Sequence, residues 1–386
     1  MRKIALGLIL ILSLLQTGCW NAREIDELAF VLSIGLDKTD YGFKVTAEIA
    51  SPETYSKTPS GSGTTQKAKP FWIVTSTGKT IFEAIRNMAS ISSRRIFWSH
   101  IKVIIISEQL ARSNTLEIFD FFSRNPELRL RTLIAVTPGE AEKVLDVVPV
   151  MEKNPAIYLE KIIKNKNLTG KSYDIMLKDF IEDYLDPNVG PVTSRIIIDK
   201  SKSQPIVKTS GAYVFDDNKV STVLTEEQTR GLLWIKNKIN ESVIVVNCPY
   251  DDMPVTLEIK KSKSSIKSYL DGEVPHFTIN LKVDATITEQ SCLTNFNDME
   301  KLSKLEKALE KSICKDIQST IITAKDINTD FPGLSLTLHS QHRKEWNQIS
   351  SKWDQLFKDS KVNIAAKVTI HHVSLAKPLE PIKMQK

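Results

Sequence analysis

A strict alternation of apolar and polar residues from Phe277 to Ile287, followed by a long helical stripe, constrains this chain more than anything else in it. Phe277, Ile279, Leu281, Val283, Ala285 and Ile287 occupy every second position, the period at which strand side chains share one face. Between about Asp298 and Lys325, Leu302, Leu305, Leu309, Ile313, Ile317 and Ile321 recur every three or four residues, which gives a helix one apolar stripe. Each needs a cover, so the stripe is expected to lie on its own sheet rather than form a seam with a partner helix. Val255, Leu257 and Ile259 before the Asp271-Gly272 turn predict a pairing strand. Trp346, Ile349, Trp353 and Phe357 predict a second helix over about Lys344–Phe357, and Val362 to Ile370 a closing strand. Residues 251–386 therefore read as a largely antiparallel sheet carrying two helices.

Upstream, strand and helix patterns alternate. Phe43, Val45, Ala47 and Ile49 alternate with polar residues, Lys102–Ile106 and Thr132–Val136 are short apolar runs, and helical spacings fall near 79–92, 115–122, 140–148 and 174–185. Residues 51–70, with three prolines and Ser60-Gly61-Ser62-Gly63, form a loop inside this block. The polar stretch Lys200-Ser201-Lys202-Ser203-Gln204-Pro205 marks a boundary. After it, a hairpin around Asp216-Asp217-Asn218-Lys219 and a helix opened by Thr225-Glu226-Glu227 suggest a small middle domain at 201–250. The fold class is α+β, with an N-terminal mixed α/β domain at 20–200.

The first residues are of another kind. Arg2 and Lys3 precede an apolar run from Ile4 to Leu15, then Gln16-Thr17-Gly18-Cys19 and the polar Asn21-Ala22-Arg23-Glu24. Spanning a bilayer takes about 20 apolar residues, so 1–19 reads as a cleaved secretory signal. A cysteine directly after the small residue makes it a lipoprotein signal, cut before Cys19, whose thiol takes a lipid thioether. Gln16 stands where an aliphatic residue is usual.

The chain's formal charge of +6 is modest, and Arg2 and Lys3 contribute two of those charges. No basic stripe with interleaved aromatics occurs, so nucleic acid is not an expected partner. Beyond Cys19 remain Cys248, Cys292 and Cys314. They show no metal-ligand spacing, and either unpaired thiols or one disulfide with one free thiol is open.

Catalytic motifs are missing. There is no GxxxxGK[ST], GxGxxG or GxSxG, and no cofactor is expected. His339-x-x-His342 could be drawn with His371-His372 as a metal site, but adjacent strand residues point to opposite faces. His100 in Phe97-Trp98-Ser99-His100 reads as a loop anchor. The absence of a catalytic set turns the odds toward binding or assembly.

Cys19-Trp20-Asn21-Ala22-Arg23-Glu24-Ile25-Asp26-Glu27-Leu28-Ala29-Phe30-Val31, continuing to Gly35-Leu36-Asp37, resembles the opening of the Ger(x)C family, the lipoprotein C-subunits of spore germination (germinant) receptors. Asn21 and Leu36 depart from the usual aspartate and isoleucine. Further matches come in order: Phe97–Val103, Arg124-Asn125-Pro126-Glu127-Leu128-Arg129, Thr229-Arg230-Gly231-Leu232-Leu233-Trp234, and Glu345-Trp346 with Trp353 and Phe357. The resemblance implies three mixed α/β domains in an elongated arrangement. It also implies a non-enzymatic subunit, lipid-anchored through Cys19 on the outer face of the spore inner membrane, beside integral A- and B-subunits. The alternative is a solute-binding lipoprotein that takes a small nutrient directly.

Overall fold

The structure is a computed structural model that describes residues 24–51, 69–201 and 204–371. Residues 1–19, expected to be a cleaved signal, lie outside the described residues with Cys19, as do most of the expected 51–70 loop and His372.

Among the described residues, nine strands build the first sheet: β1 (Leu28–Thr39), β2 (Gly42–Ala50), β3 (Phe71–Gly78), β4 (Arg95–Phe97), β5 (Val103–Ser107), β6 (Leu133–Thr137), β7 (Val192–Asp199), β8 (Ile206–Asp216) and β9 (Lys219–Leu224). Their order is β3-β2-β1-β5-β6-β7-β8-β9, with the short β4 beside the start of β1. Strands β1, β5, β6 and β7 run parallel, and antiparallel pairs flank them on each side. Parallel neighbours need crossovers. Helices α1 (Ile81–Asn87), α2 (Glu108–Ala111), α3 (Leu116–Arg124), α4 (Ala141–Asp146), α5 (Pro155–Lys164), α6 (Lys166–Thr169) and α7 (Leu177–Leu185) lie in these connections. Both faces of the sheet are covered. Val103, Ile105, Leu133 and Ala135 pack with Val144, Leu145, Leu159 and Ile163 of α4 and α5. Ile104, Ile106, Ile134 and Val136 face the main core with Phe119, Phe122 and Phe180. Coverage on both sides is why β5 and β6 read as unbroken apolar runs instead of alternations.

Residues 28–39, compatible with helix or strand by pattern, are strand: β1 sits mid-sheet. Buried Asp37 near its end accepts the N–H groups of Ala141 (2.7 Å) and Glu142 (3.1 Å), which caps α4 from another element. α5 opens on Asn154, whose side chain accepts from Ile157 N–H, with Pro155 in the first turn.

The separate middle domain expected at 201–250 has no sheet of its own. β8 pairs with β7, so the hairpin β8–β9, turned by Asp217 and Asn218 at positive φ (45° and 63°), extends the first sheet. β10 (Val243–Asn247) joins the second sheet instead. An isolated hairpin is marginal in water, and each strand finds backbone partners in a neighbouring sheet. Between them α8 (Glu226–Ile235) opens on a capping box formed by Thr225 and Gln228.

The second sheet has the order β10-β11-β12-β13, with β11 (Pro254–Asp271), β12 (Val274–Gln290) and β13 (Lys361–His371). Gly272, at φ 62°, turns the β11–β12 hairpin. Pairing is antiparallel except between β12 and β13, which run parallel because α9 (Met299–Asp326), α10 (Leu334–Gln341), α11 (Arg343–Ile349) and α12 (Trp353–Asp359) carry the chain across. All six stripe residues of α9 are buried, on this chain's own sheet. Glu310 and Glu306 of α9 accept the N–H groups of Val368 (3.0 Å) and Ile370 (2.9 Å), so the helix also covers the edge strand β13. The helix expected over 344–357 is two helices joined by a 3-10 turn at Ser350–Lys352, which keeps Trp346, Ile349, Trp353 and Phe357 on the buried side.

Candidate functional site

Two of the sequence motifs meet at one groove. Phe97 ends β4 with Trp98 just after it, and Arg124 ends α3 and leads into Asn125-Pro126-Glu127. Ser99 ties them, its hydroxyl donating to the Glu127 carbonyl at 2.8 Å. Together with α1 they enclose a cavity of about 660 Å³, within the range of small-molecule sites. Its floor is apolar, with Phe43, Ile81 and Trp98 nearly buried. Phe82 and Phe121 form one wall with ring centroids 6.5 Å apart. The rim is charged. Arg95 pairs with Glu127 (3.5 Å), Arg124 with Asp120 (2.7 Å), and the Arg86 guanidinium sits 4.8 Å over the Phe82 ring. Arg94 and Glu117 line the same opening without an ion pair among the described residues. Such a groove can hold a small ligand with apolar and charged parts by contact and charge.

The other motifs are structural. In Thr229–Trp234, the Thr229 hydroxyl donates to Thr225 O, and Leu232, Leu233 and Trp234 are core residues. Arg230 pairs with the nearly buried Asp316 of α9 at 2.7 Å. Burial pushes the Asp316 carboxyl up, and the guanidinium opposes that shift. Gly231 lets α8 and α9 touch: a Cβ there would lie 2.1 Å from Thr320 Oγ1 and 2.3 Å from the Asp316 carbonyl oxygen. Gly35 likewise lies under α4, with Ala141 Cβ 3.1 Å from the position a Cβ would take. Trp346 and Trp353 stack edge to face at 5.2 Å, and Trp353 meets Phe277 of β12. Ile25 is 75% exposed just before β1.

The histidines have separate partners. His339 stacks on Trp346, His342 Nε2 lies 2.9 Å from the Ser268 carbonyl oxygen, and His371 pairs with Asp284 at 3.2 Å. The described ones thus form no shared site. His100, in a turn, packs against Phe30 and Phe97.

Two features had no sequence signal. Glu48 of β2 is buried; Ser33 Oγ donates to it at 2.5 Å, and Oε1 has no hydrogen-bond partner among the described residues. Burial raises its carboxyl to about 7, while Ser33 and the Ala156 amide pull the other way. Cys248 and Cys292, far apart in sequence, lie together. Among the described residues no helix is long and apolar enough to cross a membrane.

Comparison with known proteins decides the family. The chain matches "Spore germination protein N-terminal domain" over residues 21–198 and "Spore germination B3/ GerAC like, C-terminal" over residues 210–374. It belongs to the GerAC-like family of spore germination proteins. Among GerAC-like relatives, it is 29% identical to spore germination protein B3 of Bacillus subtilis, over 91% of this chain and 93% of that protein. It is 26% identical to the putative spore germination protein YfkR of the same organism, over 94% of each. The crystal structure of the GerBC protein shares the fold, with a TM-score of 0.58 at 22% identity, covering 87% of this chain and 96% of that one.

Proposed function

We propose that this GerAC-like chain is a lipid-anchored, non-catalytic subunit of a nutrient germinant receptor. A lipid thioether on Cys19 would hold it on the outer face of the spore inner membrane, beside integral A- and B-subunits. The observation that carries the reading is the match to both family domains in order, beginning two residues after Cys19, which follows a short apolar run and a small residue. A thioether at Cys19 leaves the folded part outside the bilayer, where it can contact integral partners. Pull-down of the full chain from dormant spore membranes should recover the two integral subunits, and their consistent absence overturns the assembly. Cys19→Ala should release the chain from the membrane fraction; unchanged retention overturns the anchor.

The groove beside Trp98 favours a second reading, in which the chain itself takes a small nutrient. Its size and its mix of aromatic floor and arginine rim suit an amino acid or a similar solute. Calorimetry of the soluble 20–386 fragment with candidate nutrients separates the two: tight binding by this fragment alone favours direct capture.

A further inference from the structure

Cys248 leaves the end of β10 and Cys292 the end of β12, the two strands that flank β11. Both are nearly fully buried, at 2% and 3% exposure. Their sulfur atoms and a carboxylate oxygen of Asp251 lie within 4.8 Å of one another. The backbone on each side is held. Cys248 N–H donates to Met253 O at 2.7 Å, and the Gln290 amide donates to the carbonyl oxygens of Cys292 (3.0 Å) and Thr294 (3.1 Å). Cys314 stands apart on α9, its thiol against the backbone of Ala366 in β13.

We infer that Cys248 and Cys292 close a disulfide in the mature protein, leaving Cys314 as its free thiol. The inference rests on the reading that the folded part lies outside the cytoplasm, where disulfides persist. Atoms and electrons balance through exchange with an exported dithiol–disulfide oxidant. One cysteine thiolate attacks the oxidant's disulfide, and the second displaces it from the mixed disulfide. The new S–S bond forms as the oxidant's bond breaks, and the oxidant leaves as a dithiol with two electrons and two protons. Burial pushes the Cys248 thiol up to about 11, so thiolate is scarce in the finished fold. Closure therefore belongs to folding, before the ends of β10 and β12 are covered. The bond then ties those two ends across the start of β11, where Val255 pairs with Val246 and Gln290.

The test is differential alkylation in denaturant, followed by mass spectrometry, of the full chain extracted from spore membranes, with an alkaline phosphatase fusion at its C-terminus reporting the compartment. Cys314 should be the one of the three labelled before reduction, and all three should label after it. Cys248→Ser should expose Cys292 and Cys314 together without reduction. Three free thiols in a chain whose phosphatase is active overturn the disulfide. Zinc bound to the native chain, with all three thiols labelling in denaturant before reduction, overturns it in favour of a metal held by Cys248, Asp251 and Cys292. If the phosphatase is silent, the exported reading fails on its own, and the purified full chain, denatured, reduced and refolded in an oxidising glutathione buffer, decides the pair. Closure of Cys248 to Cys292 there supports the pairing, and its failure to close overturns it.

Discussion

The two sheets solve the same problem in different ways. In the nine-stranded sheet, helices cover both faces of the parallel centre, and every residue of β5 is buried. In the four-stranded sheet, β12 buries Phe277, Ile279, Leu281 and Val283 under helices and leaves its other face to solvent. On that open face Lys263, Lys282 and Lys367 stand in register across three strands. An antiparallel hairpin can stay wet on one side, whereas parallel strands joined by helical crossovers become enclosed. The difference teaches where each sheet tolerates change.

The sharpest way to break this contrast is a charge on each sheet. Ile104→Asp buries an unpaired carboxylate and should cost more than about 4 kcal/mol, read by denaturant unfolding or loss of soluble protein. Lys282→Glu on the open face should change stability by about 0.5 kcal/mol or less, in the stabilising direction, because it removes a like-charge pairing. A tolerated Ile104→Asp would show that face to be uncovered.

The joint between the sheets comes next. Gly231→Ala gains about 1 kcal/mol of helix propensity but drives a methyl into Thr320 and the Asp316 backbone, so a net loss of about 2–3 kcal/mol is expected. Adding Thr320→Ala should recover less than half of it, since the carbonyl oxygen stays. Full recovery in the double variant would place the contact on the side chain alone.

A pH-dependent effect sharpens the contrast inside the first sheet, where coverage buries Glu48. Its folded pKa of about 7 stands above the ordinary 4.5, so the folded state holds the proton more tightly. That contribution is complete below pH 4.5 and is lost as pH rises to about 7. Glu48→Gln should therefore stabilise the protein by about 2 kcal/mol at pH 8 and change little at pH 4. Thermal unfolding across that range checks it; an unchanged pH slope assigns the dependence elsewhere.

Periodicity recovered what is local. The β12 alternation, the α9 stripe, the turns at Asp217-Asn218 and Gly272 and the α8 cap could all be read from neighbours in sequence. The same reading went astray where a segment's partner was remote. The hairpin β8–β9 carries no mark of joining β7, and nothing in 361–371 shows that it pairs parallel to β12. The groove beside Trp98 joins residues from α1, β4 and α3, so its motifs were visible while their meeting was not.

By itself the sequence determined the α+β class, the faces of the long elements and the expectation of a lipid at Cys19. These rest on spacing and on short motifs, which a linear chain displays. Tertiary structure alone decided how the strands of 201–250 divide between two sheets, which motif residues line a groove and which hold helices together, and that Cys248 meets Cys292. Each of those depends on backbone pairing or burial between residues distant along the chain, and no local pattern encodes it.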